Sequence, residues 1–232
     1  MTEPQREAKR VKKPWPTKAA MAQVYSEYLW GGESHDFYSG EGSHLPGLVE
    51  PYVEIVSEFL TSFETPITVC DLGCGDFNVG KQLIQHTKKY VAVDIVPELI
   101  QRNKKLFEAE NLEFHCLDIA TDDLPAADCV ILKQVLQHIS NKEVHQVVKK
   151  LAGYKYVIVT EHIPDGEFEP NKDIISGQGT RLKKLSGINL TAPPFYFKAK
   201  EGKLLLSIPL EKGKGVVDTR LYHTIHKHLI RS

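Results

Sequence analysis

The chain lacks long hydrophobic runs and any excess of one charge. None of its 232 residues falls in an apolar stretch approaching the roughly 18 residues that a membrane-spanning helix needs. Lysine and arginine together number 29, against 30 aspartates and glutamates, so the basic excess typical of nucleic-acid-binding proteins is missing. Membrane spans are therefore not predicted, and nucleic acid is an unexpected partner.

Cysteine is also scarce, and its spacing excludes a zinc framework. Cys70 and Cys74 have no second pair at a matching distance, as a structural zinc site would require. His226 and His228 would share one face of a predicted strand while His223 points the other way, so no metal site is predicted. Free cysteines in core strands behave as small hydrophobes, and we expect all four to be reduced and buried: Cys70, Cys74, Cys116 and Cys129.

The amino-terminal residues 1–18 are rich in lysine and arginine and poor in apolar side chains. Such a segment cannot bury enough apolar surface to fold alone. Two interpretations are open, a solvated flexible tail or an anion-binding arm. The polar start does not resemble a signal peptide, and we expect a cytoplasmic protein.

A glycine-rich turn at residues 69–78 is the most informative pattern that the chain does contain. The apolar segment Ile67–Asp71 predicts a strand, and the following Gly73 and Gly75 predict a tight turn whose backbone can approach a ligand closely. A helix is expected to begin near Asn78. This arrangement is typical of an α/β sheet that binds a nucleotide-like ligand.

Acidic residues end the next predicted strands. Residues 90–94 end in Asp94 and residues 112–118 end in Asp118, whereas residues 128–132 run directly into Lys133. An acid at the end of the second strand is placed to bind the two hydroxyls of a ribose. Because the carboxyl ends of parallel strands meet at one edge of the sheet, we expect these side chains to line one crevice.

The rest of the chain alternates helical and extended patterns, which predicts a parallel α/β sheet covered on both faces. Helices are expected at residues 19–29, 48–63 and 133–151, and a fifth strand at residues 154–160. We expect one domain over residues 19–232, with a helical cap and glycine-rich loop in residues 19–65. Residues 161–203 form a long insertion, for which we expect a substrate-side role. Strands at 204–210 and 216–228 should close the sheet as an antiparallel hairpin.

In the order of these motifs the chain resembles the class I S-adenosylmethionine-dependent methyltransferases. The resemblance implies a Rossmann-like seven-stranded sheet and S-adenosylmethionine as cofactor, with S-adenosylhomocysteine as product. By resemblance, Asp94 binds the ribose, Asp118 and Ile119 flank the adenine, and Lys133 faces the methionine end. The residues expected around the cofactor are Asp71, Gly73, Gly75, Asn78, Asp94, Ile95, Asp118, Ile119, Lys133, Tyr28 and Trp30.

The main alternative for the glycine turn is a nicotinamide dinucleotide site. That site prefers a third glycine where this chain has Asn78, and its pyrophosphate would lie beside Asp71 and Asp76. Carboxylates suit the sulfonium and ammonium of S-adenosylmethionine better than a diphosphate. The sequence therefore favours S-adenosylmethionine.

Several histidines are candidates for the general base, since histidine titrates near neutral pH. Methyl transfer to oxygen or nitrogen requires alignment, a dry pocket and an acceptor for the departing proton. His138 follows the fourth strand, His162 follows the fifth, and His35 lies in the glycine-rich loop. No single base is chosen from the sequence.

The substrate side resembles a group of largely uncharacterised bacterial methyltransferases, often of small-molecule or glycan type. That resemblance implies methyl transfer to a hydroxyl of a small polar acceptor, a metabolite or a sugar-like or phosphorylated precursor. We expect a monomer or a homodimer. Methylation of RNA or protein and a non-catalytic cofactor-binding scaffold are the alternatives. Ala192-Pro193-Pro194-Phe195 is interpreted as a rigid substrate-side loop, because it starts with alanine and follows the fifth strand. The polar and aromatic residues expected around the acceptor are Glu33, Ser34, Ser43, Arg181, Asn189 and Phe195.

Overall fold

The protein, seen in a computed structural model that describes residues 15–33, 36–211 and 213–225, is built on one mixed sheet of seven strands. The strands lie in the order β3-β2-β1-β4-β5-β7-β6. β1 to β5 are parallel, and β7 is antiparallel to both β5 and β6. The predicted seven-stranded sheet with a carboxyl-terminal antiparallel hairpin is confirmed. The strands span Thr68–Leu72, Lys89–Asp94, Leu112–Cys116, Cys129–Lys133, Tyr156–Ile163, Ala199–Pro209 and Val216–Thr224, for β1 to β7 in turn.

Both faces of the sheet are covered, as the apolar strands require. Successive strand residues point to opposite faces, so Cys70 and Leu72 of β1 pack on one side whereas Val69 packs on the other. Helices α1 and α4 cover the first face and α2 the second, while α3 contributes to both. The helices span Thr17–Ser26, Pro46–Thr61, Pro97–Leu106 and Asn141–Leu151, for α1 to α4 in turn.

Two predicted helices are corrected by the structure. After β1 the chain forms two 3-10 turns, Gly80–Gln82 and Ile84–His86, instead of an α-helix. Phe77 has a left-handed backbone, and a Cβ on Gly80 would lie 2.4 Å from the Phe77 ring, so close packing fixes the tighter turns.

After β4, the predicted helix at residues 133–151 begins only at Asn141. Gln134 adopts a left-handed φ of 57°, which breaks the helical path, and a 3-10 turn follows at Leu136–His138. Ser140 then caps α4 through a capping box with Glu143, the arrangement that satisfies the free N–H groups of a helix start.

Smaller differences concern the ends of the sheet and of the chain. β3 is an edge strand that ends at Cys116, and that cysteine is exposed rather than buried as expected. β7 ends at Thr224, so the candidate metal residues His226 and His228 lie outside the described residues. Thr17 begins α1, and only residues 1–14 of the predicted tail lie outside the described part.

The insertion between β5 and β6 contains one 3-10 turn, Arg181–Lys184, in a segment that is otherwise irregular. Its shape is fixed by the buried Asn171, whose amide donates to the carbonyls of Asn189 and Pro193 and accepts from the Asn189 N–H. Across the described residues, the helices are too short or too polar to span a bilayer.

Candidate active site

A cavity of about 440 Å³ opens at the carboxyl edge of the parallel strands, a volume within the range of small-ligand pockets. Its walls come from the glycine turn after β1, the ends of β2, β4 and β5, helix α1 and the loop before α2. Eleven of the residues proposed from the sequence line it: Trp30, Ser43, Gly73, Gly75, Asp94, Ile95, Asp118, Ile119, Lys133, His138 and His162.

The glycine turn forms the floor of the cavity and leaves no room for side chains. Gly73 and Gly75 have φ values of 82° and 56°, a conformation that glycine adopts without strain. A Cβ on Gly75 would lie 2.3 Å from the hydroxyl of Ser39, and one on Gly73 would lie 2.4 Å from Val135. Backbone alone can therefore meet a ligand here.

Asp94 joins the glycine turn to the end of β2. Its carboxylate accepts hydrogen bonds from the N–H of Gly75 at 3.1 Å and of Val96 at 3.0 Å. Burial raises its pKa, although these N–H groups act in the opposite direction. Asp118 lies one strand further out and caps a turn through the N–H of Ala120 at 2.8 Å. Both acids line the cavity.

Among the described residues, Lys133 is the one lysine in the cavity wall. Its ammonium donates to the carbonyl of Gly42 and lies 5.3 Å from the centre of the Tyr52 ring. Burial lowers its pKa to about 8, while the charges of Asp71, Asp76 and Glu161 oppose that shift. The side chain thus ties the glycine-rich loop to the end of β4.

An aromatic cluster closes the cavity from the side of α1. The ring centroids of Tyr25 and Trp30 are 5.6 Å apart, and those of Trp30 and His138 are 4.9 Å apart. The Tyr25 hydroxyl contacts the Ser39 hydroxyl at 3.0 Å, and Ser39 in turn accepts from the N–H of Asp76. Helix α1 with Tyr25 and Trp30, called the lid below, is therefore hydrogen-bonded to the glycine turn through Ser39.

His138 is held as a neutral imidazole. Its Nδ1 lies 3.2 Å from the carbonyl of Gly179, which can only accept, so Nδ1 carries the proton. Its Nε2 lies 3.2 Å from Nε2 of Gln137, while Oε1 of Gln137 accepts from the N–H of His162. Burial lowers the pKa of His138 to about 4. The lone pair on Nε2 already accepts a hydrogen bond from the Gln137 amide, which makes His138 a poor base.

His162 has the opposite arrangement. Its Nε2 contacts the carbonyl of Lys214, so Nε2 carries the proton and Nδ1 keeps a lone pair. The residue is half-buried at the end of β5 and lines the cavity. A backbone carbonyl that orients the ring in this way is a common support for a histidine base.

Four of the proposed cofactor and substrate residues do not reach the cavity, which corrects the sequence analysis. The carboxylate of Asp71 is buried beneath the floor and accepts from the Tyr90 hydroxyl at 2.9 Å. Asn78 donates to the carbonyl of Ser43 at 2.7 Å and so anchors a loop. Tyr28 is 41% exposed and, like the exposed Glu33, lies outside the cavity wall.

Three further substrate candidates have structural roles instead. Arg181 is 1% exposed and donates to main-chain carbonyls. Asn189 accepts from the N–H and hydroxyl of Thr191, and Phe195 is packed in the core. Ser34 and His35 lie outside the described residues.

Sequence reasoning missed several residues of the wall. Ser39, Gln137 and Glu143 line the cavity, and Glu161 supports it from below through the N–H groups of Leu136 and Gln137. The spacing of Ser140 and Glu143 matches a capping box, so the sequence could have predicted that a helix starts there. The positions of Ser39, Gln137 and Glu161 depend on contacts between distant segments.

The donor set fits S-adenosylmethionine better than a dinucleotide. Dinucleotide sites hold a pyrophosphate at the start of an α-helix, and no α-helix occurs between Gly73 and Pro97, a fully described segment. The acids outnumber the lysine in the wall: Glu41, Asp94, Asp118 and Glu143 against Lys133. Such a wall attracts a cationic cofactor.

Comparison with known proteins agrees with this assignment. Residues 69–154 match the family described as "Methyltransferase domain". An uncharacterized RNA methyltransferase from Chlamydia pneumoniae is 24% identical over 147 residues, which are 59% of this chain and 35% of the relative. The chain thus spans about a third of that relative's length.

Solved structures show the same fold. Magnesium protoporphyrin IX methyltransferase from Synechocystis PCC 6803, with bound S-adenosylhomocysteine, aligns with a TM-score of 0.57 and 16% identity over 90% of this chain and 100% of that one. The N-methyltransferase NodS from Bradyrhizobium japonicum WM9 aligns with a TM-score of 0.57 and 11% identity over 79% of this chain and 90% of that one.

Residues 69–154 thus match a methyltransferase domain, and the strand order and glycine turn are those of the fold that the predicted resemblance implies. The predicted fold is confirmed. The residues of the wall fit the predicted cofactor, S-adenosylmethionine.

Proposed function

We propose that the protein transfers a methyl group from S-adenosylmethionine to a hydroxyl of a small, polar acceptor such as a metabolite or sugar precursor. One observation carries the proposal. A single cavity joins Asp94 at the end of β2 and Asp118 after β3 to His162 at the end of β5. Neighbouring strands lie about 4.8 Å apart, so the cavity has room for the cofactor above β1 and β2 and an acceptor above β4 and β5.

His162 is the proposed base. When the cofactor is bound, its sulfonium supplies the methyl group to the acceptor oxygen. Nδ1 of His162 takes the hydroxyl proton, and Nε2 keeps its hydrogen bond to Lys214. General-base assistance of this kind contributes about 10²- to 10⁴-fold. Trp30 and the α1 side of the cavity exclude water from the reacting atoms.

The charge of the wall favours a neutral or cationic acceptor over an anionic one. Among the described residues of the wall, four carboxylates are opposed by Lys133 alone, and Arg181, one of the residues expected around the acceptor, is buried. A phosphorylated acceptor would gain little attraction from such a site. The name of the chlamydial relative supports RNA methylation as a second candidate, and the wall charge weighs against it.

Calorimetric titration of S-adenosylhomocysteine into the wild type and Asp94→Ala tests the cofactor site, with the exposed Glu98→Ala as a control. Asp94 organises the turn through two charged hydrogen bonds. A charged hydrogen bond is worth about 1.5–3 kcal/mol. Loss of the equivalent of one such bond from the binding free energy gives a roughly ten- to hundredfold weaker Kd, which we expect for Asp94→Ala. Absence of binding to the wild type would reject the proposed function. Once binding is established, a screen of tritiated methyl transfer to alcohols, sugars, amines and RNA identifies the acceptor.

A further inference from the structure

The turn after β4, residues 136–139, carries Gln137 and His138 into the cavity wall. Backbone groups of this turn are held by two buried ionisable side chains, Glu161 of β5 and Arg181 of the insertion, which are 3% and 1% exposed.

Each of the two side chains holds one type of backbone group. The carboxylate of Glu161 accepts from the N–H groups of Leu136 and Gln137, both at 3.0 Å. The guanidinium of Arg181 donates to the carbonyls of Leu136 and Ile139, both at 2.9 Å, so it spans the turn. Because the planar fork of arginine can reach two carbonyls at once, lysine is not an equivalent replacement.

The same stretch of insertion makes further contacts with the turn. The N–H of Gly177 donates to the carbonyl of His138 at 2.9 Å, and the carbonyl of Gly179 orients the His138 ring. Gln178, which lies between these two glycines, and Thr180, which follows them, line the cavity. The insertion thus supplies part of the wall and also fixes the adjoining part.

We infer that Arg181 is a positioning residue for methyl transfer: together with Glu161 it fixes the 136–139 turn, so that the insertion and the catalytic wall form one unit. Gln137 is the link to the reaction. Its backbone is held by Glu161, and its side chain accepts from the backbone of His162. The inference rests on the proposed function, since it assigns Arg181 to the alignment of that same site.

The test compares Arg181→Lys and Arg181→Gln with Lys183→Gln, an exposed neighbour in the same 3-10 turn. In both Arg181 variants we expect S-adenosylhomocysteine affinity within about threefold of wild type. We expect kcat, measured with the screened acceptor, to fall about ten- to hundredfold, because small misplacements of active-site groups lower rates by this much. Amide exchange at Leu136 and Gln137 should accelerate by at least about tenfold. Lys183→Gln should behave as wild type.

Arg181 variants with wild-type kcat, or with wild-type exchange at the turn, would overturn the inference. Equal losses in cofactor affinity and kcat would do the same, because they indicate general unfolding. If the Arg181 variants fail to fold, amide hydrogen exchange in the wild-type protein tests the inference. We then expect the amides of Leu136, Gln137 and Gly177 to show equal protection. If the amide of Gly177 is protected more than about tenfold less than the other two, the insertion opens independently and the inference is wrong. Failure of the proposed function alone would appear as absent S-adenosylhomocysteine binding, with these exchange patterns unchanged.

Discussion

At the scale of single residues, the two cavity histidines have different protonation patterns. Nε2 of His138 faces the Gln137 amide, whereas Nε2 of His162 faces a carbonyl. These partners leave a free lone pair on His162 and an engaged one on His138. Hydrogen bonding thus separates two candidates that the sequence treated as equivalent.

We therefore expect His162→Gln to lower kcat by about 10²- to 10⁴-fold, the usual contribution of a general base. His138→Gln, the matched variant, should lower it by less than about tenfold. Methyl transfer to the screened acceptor measures both, and S-adenosylhomocysteine affinity should be nearly unchanged in each. A larger loss for His138→Gln than for His162→Gln would assign the base to His138.

His138 should also make the protein sensitive to acid. Burial lowers its pKa to about 4, against about 6.5 in the unfolded chain. Between these values the unfolded chain binds the extra proton, so stability falls as the pH drops below 6.5. From pH 7 to pH 5 this one group should remove about 2 kcal/mol of unfolding free energy.

Urea denaturation at both pH values measures this loss in the wild type and in His138→Gln. The variant lacks the titrating ring, so its change between pH 7 and pH 5 should be smaller by that amount. Burial of Asp71 and Glu161 raises the pKa of each carboxyl group and favours the opposite pH trend. The pH dependence of stability that Asp71 and Glu161 cause is present in both the wild type and His138→Gln, so it cancels when the two proteins are compared. Equal pH dependence of the two proteins would contradict the prediction.

At the scale of elements, local patterns predicted β1 to β5 and α2 well, whereas β6 begins at Ala199 and not at the predicted residue 204. α2 spans Pro46–Thr61 against the predicted 48–63, and β2 spans Lys89–Asp94 against 90–94. Period-two and helical patterns are set by burial of one face, which sequence shows directly. The segments after β1 and β4 were misjudged, because Phe77 and Gln134 adopt left-handed backbones imposed by tertiary packing.

The site was predictable where it depends on backbone turns and strand ends. Gly73, Gly75 and Asp118 follow strands and Asp94 ends one, and strand ends converge at one edge of the sheet. Arg181 could not be placed in this way. The sequence analysis placed it around the acceptor, whereas its actual partners are carbonyls 45 and 42 residues away in sequence. Contacts of this length carry no local signal.

The lid formed by α1 depends on Glu143, which lies in the cavity wall at the start of α4. Its carboxylate accepts hydroxyl hydrogens from Thr17 of α1, Ser140 and Ser176 of the insertion. Burial alone would raise the pKa of Glu143, but these hydrogen bonds lower it overall. One ionised side chain therefore joins three segments around the cofactor.

We expect Glu143→Gln to release S-adenosylhomocysteine about tenfold faster, because an amide has one accepting oxygen and cannot accept from all three hydroxyls, which weakens the anchor of α1. Stability should fall by about 1–3 kcal/mol. Stopped-flow fluorescence of Trp30 in the lid measures release, and the exposed Glu54→Gln on α2 serves as the control. An unchanged release rate would mean that Glu143 stabilises α4 without holding the lid.

At the scale of the whole molecule, charge favours the proposed small acceptor over RNA. The net charge is −1 at pH 7, and the cavity wall is acidic. RNA-binding proteins gain affinity by displacing counterions from phosphates, which requires clustered lysine and arginine. The basic segment at residues 1–14 lies outside the described residues, so the full chain is the proper test material.

We expect a fluorescein-labelled single-stranded RNA to bind the full chain no more tightly than about 10⁻⁵ M at 150 mM salt, the range of non-specific contacts. Fluorescence anisotropy at 50, 100 and 200 mM salt measures both the affinity and its salt dependence, with and without S-adenosylhomocysteine. Submicromolar binding with a steep salt slope would favour RNA as the acceptor over a small molecule. Because the walls repel phosphate, any such RNA should contact surfaces outside the cavity and insert one base, and the free nucleoside would then be a poor substrate by comparison.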